Sequence, residues 1–185
     1  MSVALAIGGG VGSEEPVKII DFANQNDGWP SIDDAVMGGV SSSAMVVEDG
    51  VATFRGVVSF DNNGGFASVR SRPQVRDLAT FDGLILRVRG DGKSYGFRIR
   101  TSASFDGVSY QVVLAPPAGE WIDVSVPFSD FVPVWRGRRV EGHPVLDPSK
   151  VTTFGLIISR QEGPFRLDIS NIRAHPKTDS TGSSR

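Results

Sequence analysis

Cysteine is absent from all 185 residues, so disulfides, thiolate metal sites and cysteine nucleophiles are excluded together. Histidine is nearly absent too. His143 and His175 are the only two, one in a Gly/Pro loop and one near the C-terminus, and neither sits in a Ser/His/Asp or metal-type cluster. No apolar run approaches the roughly 20 residues a membrane-spanning helix needs. A large excess of either charge is also missing. The net charge is -2, which predicts no strong attraction to nucleic acid or to an anionic membrane. A sustained 3.6-residue apolar period, the mark of an amphipathic helix, appears nowhere along the chain. Near the N-terminus the short run Val3–Ile7 lacks the basic flank and length of a signal peptide and the Arg of a transit peptide. The expectation is therefore a cytoplasmic protein with a Gly-rich leader at 1–15, one domain at 16–175 and a polar tail at 176–185.

What is present is short strands and turn residues. Hydrophobic residues make up 39% of the chain, with 22 Gly and 11 Pro. Ten runs read as strands: 17–22, 44–48, 51–60, 66–70, 83–89, 95–101, 108–114, 121–126, 153–159 and 165–172. Asp49-Gly50, Gly90-Asp91-Gly92, Asp106-Gly107, Pro116-Pro117 and Gly163-Pro164 mark turns between them. Pro148 allows one short helical turn. The fold class expected is an all-β antiparallel sandwich, or jelly roll.

Alternation with period two sorts these strands into faces. Tyr95, Phe97 and Ile99 point one way, and Arg98 and Arg100 the other. Leu84, Leu86 and Val88 oppose Arg87 and Arg89, and Ala67 and Val69 oppose Phe66, Ser68 and Arg70. If these strands share one sheet, a single face gathers Arg70, Arg87, Arg89, Arg98 and Arg100 beside Ser68, Ser109 and Gln111, with Asp168 within reach. One reading is a solvated outer face whose Arg pair with scattered carboxylates. The other is a binding face, because guanidinium forks suit planar anionic or hydrogen-bonding partners. The segment from Pro133 to Pro148 is long enough to cover such a face.

Two loops are unusually dense in constrained residue types: Trp29–Ser41 (WPSIDDAVMGGVS) and Asp61–Arg70 (DNNGGFASVR). Dense constraint in loops points to function more than to fold. Asp33 and Asp34 are adjacent, so in a strand they face opposite ways and make no acid/base pair. The Gly38-Gly39 and Gly64-Gly65 pairs lack the following helix and Lys-Ser/Thr of a phosphate loop. They fit positions of positive φ or of close backbone approach. No cofactor is expected. The one ion these loops would suit is a structural calcium held by Asp33 and Asp34 with Asp61, Asn62 or Asn63, against which stands ordinary Asx-turn chemistry. Trp29 and Trp135, each flanked by Pro or Arg, are the aromatics expected to be exposed, and an exposed Trp beside Arg136 and Arg138 suits an interface or a sugar platform.

The residues carry a resemblance. Asp33–Ser41 resembles the D-x-V-M-G-G-x-S signature of the complex I intermediate-associated protein 30 family, and Asn63–Arg70 matches its N-G-G-F-A-S-V-R block. Arg89–Tyr95 is similar to its R-G-D-G-x-x-Y turn. Trp121 with Val126–Phe131 resembles its W-x-x-V-x-I-P-F-x-x-F segment, with Val126 where the family often has Ile. Arg136-Gly137-Arg138 and Gln161–Phe165 complete an ordered set over about residues 17–175. The resemblance implies a galactose-binding-domain-like jelly roll and a non-enzymatic role as an assembly chaperone for respiratory complex I. A compact version such as this one looks bacterial.

Two functions are carried forward. One is a protein-binding module that takes a client, respiratory-complex subunits among the candidates, through the Arg-rich face and flanking loops. The other is a carbohydrate-binding module using the same concave face. An enzyme acting on an anionic small molecule is a third. The candidate binding residues are Trp29, Asp33, Asp34, Met37, Asn63, Phe66, Ser68, Arg70, Arg87, Arg89, Arg98, Arg100, Gln111, Trp135, Arg136 and Arg138.

Overall fold

The computed structural model describes residues 15–25 and 28–177. The leader and tail expected at the two ends lie outside the described residues, apart from Glu15, Pro176 and Lys177. Pro176 still pairs with Phe81, so the folded unit runs slightly past the expected boundary.

Twelve strands follow in chain order: β1 (Val17–Asp21), β2 (Ser42–Glu48), β3 (Val51–Val58), β4 (Phe66–Arg70), β5 (Phe81–Arg89) and β6 (Tyr95–Arg100). Then come β7 (Ser109–Leu114), β8 (Trp121–Pro127), β9 (Val132–Trp135), β10 (Arg138–Arg139), β11 (Thr153–Ser159) and β12 (Gly163–Pro176). They form two antiparallel sheets. Sheet A has the order β2-β3-β12-β5-β8, with β1 also on β12. Sheet B has the order β10-β9-β7-β6-β11-β4. The expected β-sandwich is therefore the observed fold, and Pro148–Lys150 is the short helical turn, a 3-10 turn.

The core lies between the sheets and follows the alternation. Phe54, Leu84, Leu86, Val88, Leu167 and Ile169 of sheet A face Tyr95, Phe97, Ile99, Leu156 and Ile158 of sheet B, all essentially without solvent contact. Phe54, Tyr95 and Phe165 interlock at centroid distances of 4.8–6.4 Å, and Phe97 stacks on Phe154 at 5.8 Å. Aromatic contacts of this kind add to plain area burial.

The R-G-D-G-x-x-Y stretch carries the chain from sheet A to sheet B. Asp91 accepts hydrogen bonds from the Lys93 N–H and the Tyr95 hydroxyl (2.8 Å) on one oxygen, and from the Arg166 N–H on the other. Burial, then this bond, pushes the Tyr95 hydroxyl far above its usual range, so it remains a donor.

Three sequence expectations change. β5 and β6, consecutive in the chain, lie in different sheets, so Arg87 and Arg89 do not share a face with Arg70, Arg98 and Arg100. The segment after Pro133 is no cover: it forms the β9–β10 hairpin beside β7. Trp29 is buried, at 6% exposure, with its ring 5.9 Å from Phe22.

Candidate functional site: an inter-sheet staple and a cationic face

The dense loops form a staple. Residues 34–37 make one 3-10 turn that presents the two adjacent carboxylates in different directions. Asp33 accepts from the Ser43 N–H (2.8 Å) and hydroxyl (2.6 Å) on β2 and from the Ser68 N–H (2.9 Å) on β4. Asp34, only 2% exposed, accepts from the Ser41 N–H (2.9 Å) and hydroxyl (2.6 Å) and from the N–H groups of Gly65 (2.7 Å) and Phe66 (3.2 Å). Both residues thus join the β2 edge of sheet A to the β4 edge of sheet B. Burial alone would raise the Asp34 pKa. Its hydrogen bonds from Ser41, Gly65 and Phe66 outweigh that and hold it below the usual carboxylate value.

The glycine pairs serve this carboxylate. A Cβ on Gly39 would collide with Asp34, and one on Gly64 would lie 2.7 Å from Asp34 Oδ2. Gly65, by contrast, is required for its φ of 138°. Both expected roles, close approach and positive φ, are therefore present, divided between neighbours. The oxygens of Asp33 and Asp34 all face N–H or O–H donors, and no group of three metal-ligating side chains occurs among the described residues. This arrangement does not fit the calcium ion considered from the sequence.

Residues 30–32 run along the free edge of β4. The Ile32 N–H donates to Ser68 O at 2.7 Å, the Arg70 N–H donates to Pro30 O at 3.0 Å, and the Ser68 hydroxyl donates to Ile32 O. An exposed edge strand is thereby covered. Met37, at 73% exposure, stands out from the staple with Val36, Val40 and Phe60, while Asn63 is a left-handed turn residue.

The outer face of sheet B is cationic. Arg70 of β4, Gly155 of β11, Arg98 of β6 and Gln111 of β7 form one row across the strands, and Arg100 lies two residues along from Arg98. Arg98 Nε donates to Gln111 Oε1 at 2.7 Å. Arg70 Nη1 donates to Phe105 O at 3.0 Å, and Arg100 Nη1 donates to Gly107 O at 3.1 Å. None of the three pairs with a carboxylate among the described residues, although eight other ion pairs occur there. Burial first, then the charges of Arg100 and Arg70, pushes the Arg98 pKa down to about 10. Arg100 is lowered to about 10 by burial and then by Arg70. Both remain cationic at neutral pH.

The cover over one end of this face is the β6–β7 loop, which sequence reasoning treated only as an Asp-Gly turn. Asp106 accepts from Trp135 Nε1 (3.1 Å) and Arg136 Nη2 (2.9 Å), clasping the loop to the β9–β10 hairpin. The Phe105 ring lies 5.4 Å from the Arg70 guanidinium. Trp135 is exposed as expected, but Arg136 stacks on its ring at 4.8 Å. Arg138 is exposed on β10.

On the outer face of sheet A, Arg87 and Arg89 are paired. Arg89 Nη2 lies 2.7 Å from the buried Asp168 carboxylate, which also accepts from Arg166 and from Thr53. Arg87 lies 3.7 Å from Asp123, and both Arg87 and Arg89 approach the Trp121 ring. The solvated, ion-paired reading holds for these two. The unpaired cluster is Arg70, Arg98 and Arg100.

Two six-stranded antiparallel sheets with an aromatic core define a β-sandwich of the jelly-roll class. The family 11 carbohydrate-binding module of a Clostridium thermocellum cellulase superposes with a TM-score of 0.68, covering 91% of this chain and 98% of the module at 14% identity. A family 30 carbohydrate-binding module gives a TM-score of 0.55 at 17% identity, covering 92% of each chain. These likenesses establish the fold.

The chain belongs to the complex I intermediate-associated protein 30 family, whose model matches residues 20–169. An uncharacterized protein of Schizosaccharomyces pombe is 35% identical over 80% of this chain and 77% of its own length. The mitochondrial complex I intermediate-associated protein 30 of Drosophila melanogaster is 28% identical over 79% of this chain. The match spans 57% of the Drosophila protein and 31% of its mouse counterpart. These relatives are fungal and animal, so a bacterial source gains no support from them. The names of the two animal relatives place them in mitochondria, and the expected cytoplasmic location is likewise unsupported. Among the described residues no helix is long and apolar enough to cross a membrane.

Proposed function

We propose that this chain is a non-enzymatic protein-binding module acting in the assembly of respiratory complex I, and that it takes its client on the outer face of sheet B. The observation that carries the reading is the set of three guanidiniums, Arg70, Arg98 and Arg100, held in place by neutral acceptors and paired with no carboxylate among the described residues. A cationic cluster in no direct ion pair among the described residues suits an anionic or hydrogen-bonding partner. The apolar crest of Val36, Met37 and Val40 at the edge of the sandwich supplies contact area of the kind a protein partner uses. Family membership supports the assembly role, since relatives carry that name.

Affinity capture from the native host, read by mass spectrometry, tests this. The Arg98→Ala/Arg100→Ala double variant should remain folded and lose respiratory-complex clients. Undiminished capture by the double variant refutes the face.

The carbohydrate reading draws on the sandwich fold and on exposed Trp135 at the edge of the same face. It ranks second because the indole is already stacked by Arg136, the exposed Phe105 ring lies against the Arg70 guanidinium, and Phe66 is half-buried. Micromolar binding on a glycan array would reverse that order.

A further inference from the structure

We infer that Arg70, Arg98 and Arg100 form a notch that receives single carboxylates, the Asp or Glu side chains of an acidic client segment. The inference rests on the protein-binding reading above and names the chemistry by which that site selects its partner.

The geometry begins with a glycine. Arg70 and Arg98 sit opposite each other across β11, and the residue between them in register is Gly155. Two interstrand steps place their backbones roughly 9.6 Å apart. With no side chain on Gly155, the floor between the two guanidinium stems stays open. The same glycine is needed for packing, since a Cβ there would lie 2.9 Å from the Val69 carbonyl. Arg100 closes one side and pairs in register with Thr153. Ser68, Arg70, Arg98, Arg100, Thr153 and Gly155 line the resulting notch.

Size selects the ligand head. The notch offers about 20 Å³, room for one or two water-sized groups. A planar, two-oxygen carboxylate enters such a space. A pyranose ring is too large to do so.

Charge selects in the same direction. Each guanidinium spends one N–H on a neutral acceptor, which fixes its orientation, and keeps other N–H groups free to donate. The nearest acidic residue on the covering loop, Asp106, is committed to Trp135 and Arg136. Asp106 offsets part of the mutual repulsion at Arg70 and Arg100 but none at Arg98, and an incoming carboxylate relieves the rest.

The surroundings suit a chain rather than a free acid. The next register row reads Ser68, Ile157, Gly96, Val113. The space over Gly96 is filled by the side chains of Ile157 and Gln111, and Ile157 is buried, so the apolar surface of the row is Val113, 64% exposed at its end. An extended segment laid along that row covers Val113 while one of its side chains reaches the notch.

Isothermal titration of the full chain with hexaglutamate, hexaglutamine and inorganic phosphate tests the inference. Hexaglutamate should bind in a salt-sensitive manner and hexaglutamine should not. Arg98→Ala should weaken hexaglutamate binding about tenfold or more, and Arg98→Lys should restore only part of it, because the fork is lost while the charge remains. Should Arg98→Ala fail to fold, half-exposed Arg70→Gln replaces it. Equal hexaglutamate binding by wild type and variant overturns the notch, and so does phosphate binding without hexaglutamate binding. If clients are captured but hexaglutamate does not bind, the notch is wrong and the client-binding reading stands. If hexaglutamate binds through Arg98 but no client is captured, the assembly role falls and the notch stands.

Discussion

Replacing Asp34 with Asn tests the staple by changing two heavy-atom properties and almost no volume. The variant loses the charge that strengthens four hydrogen bonds and puts an NH2 group where one carboxylate oxygen now accepts. Oδ2 takes the Ser41 hydroxyl and the N–H groups of Gly65 and Phe66, while Oδ1 takes the Ser41 N–H. Whichever way the amide turns, at least one backbone N–H then faces a donor. A buried donor left without an acceptor costs about 1–3 kcal/mol, and loss of charge from the remaining bonds costs about as much again. The expected destabilisation is about 3–5 kcal/mol. In a domain of this size that is a fall in Tm on the order of 10 °C. Circular dichroism melts at pH 7 measure it. The pH dependence isolates the charge. The folded-state pKa of Asp34 lies below its unfolded value of about 3.9. The ionised carboxylate therefore stabilises the fold above that pH, and the benefit disappears as pH falls through the folded value. The gap between wild type and Asp34→Asn should be full at pH 7 and should narrow below about pH 4. A Tm within about 2 °C of wild type at pH 7, or a gap that does not change with pH, refutes the reasoning.

Gly64→Ala should also destabilise the staple. Its Cβ would sit 2.7 Å from Asp34 Oδ2 and 2.8 Å from the Ser59 carbonyl, and overpacking of this kind costs about 1–3 kcal/mol; a melt equal to wild type contradicts the close approach. Asp106→Ala should leave Tm nearly unchanged, because the residue is exposed, yet release the covering loop. Faster amide exchange across Ser102–Gly107 and a shifted Trp135 indole N–H resonance are the expected readouts, and an unchanged indole signal argues against the clasp.

Much of the fold is legible locally because a strand writes its two faces into its own residues. Tyr95, Phe97 and Ile99 are buried and Arg98 and Arg100 are not, as alternation requires. Sheet membership is a different kind of fact. Arg87-Val-Arg89 and Arg98-Ile-Arg100 look alike in sequence and are joined by a short turn, the usual sign of a hairpin. The turn instead crosses between sheets, with Asp91 bonding to Tyr95 and Arg166, and β5 pairs with β12 and β8. No local pattern encodes that choice. β9 escaped notice because it is four residues long and contains Pro133, which a sheet tolerates near an edge. Trp29 was misplaced because its loop setting gave no sign of Phe22. Gly155, inside an otherwise apolar strand, was a usable signal of close approach that the run Thr153–Ser159 obscured.

The two halves of the site explain one another through β4. The family motif is concentrated at the staple, yet the unpaired charge lies on the sheet face. β4 is the edge strand of sheet B and pairs with only one full strand, β11. Its other edge depends on the bridge from residues 30–32, and its first residues depend on Asp33 and Asp34. Without those bonds the strand would fray, and Arg70 at its far end would lose its register opposite Gly155 and Arg98. Dense constraint in that loop then has a reason independent of what Val36, Met37 and Val40 contact: the carboxylates fix the backbone of the strand that completes the notch. Sequence reading alone placed these residues at a recognition rim, whereas their hydrogen bonds make them its support.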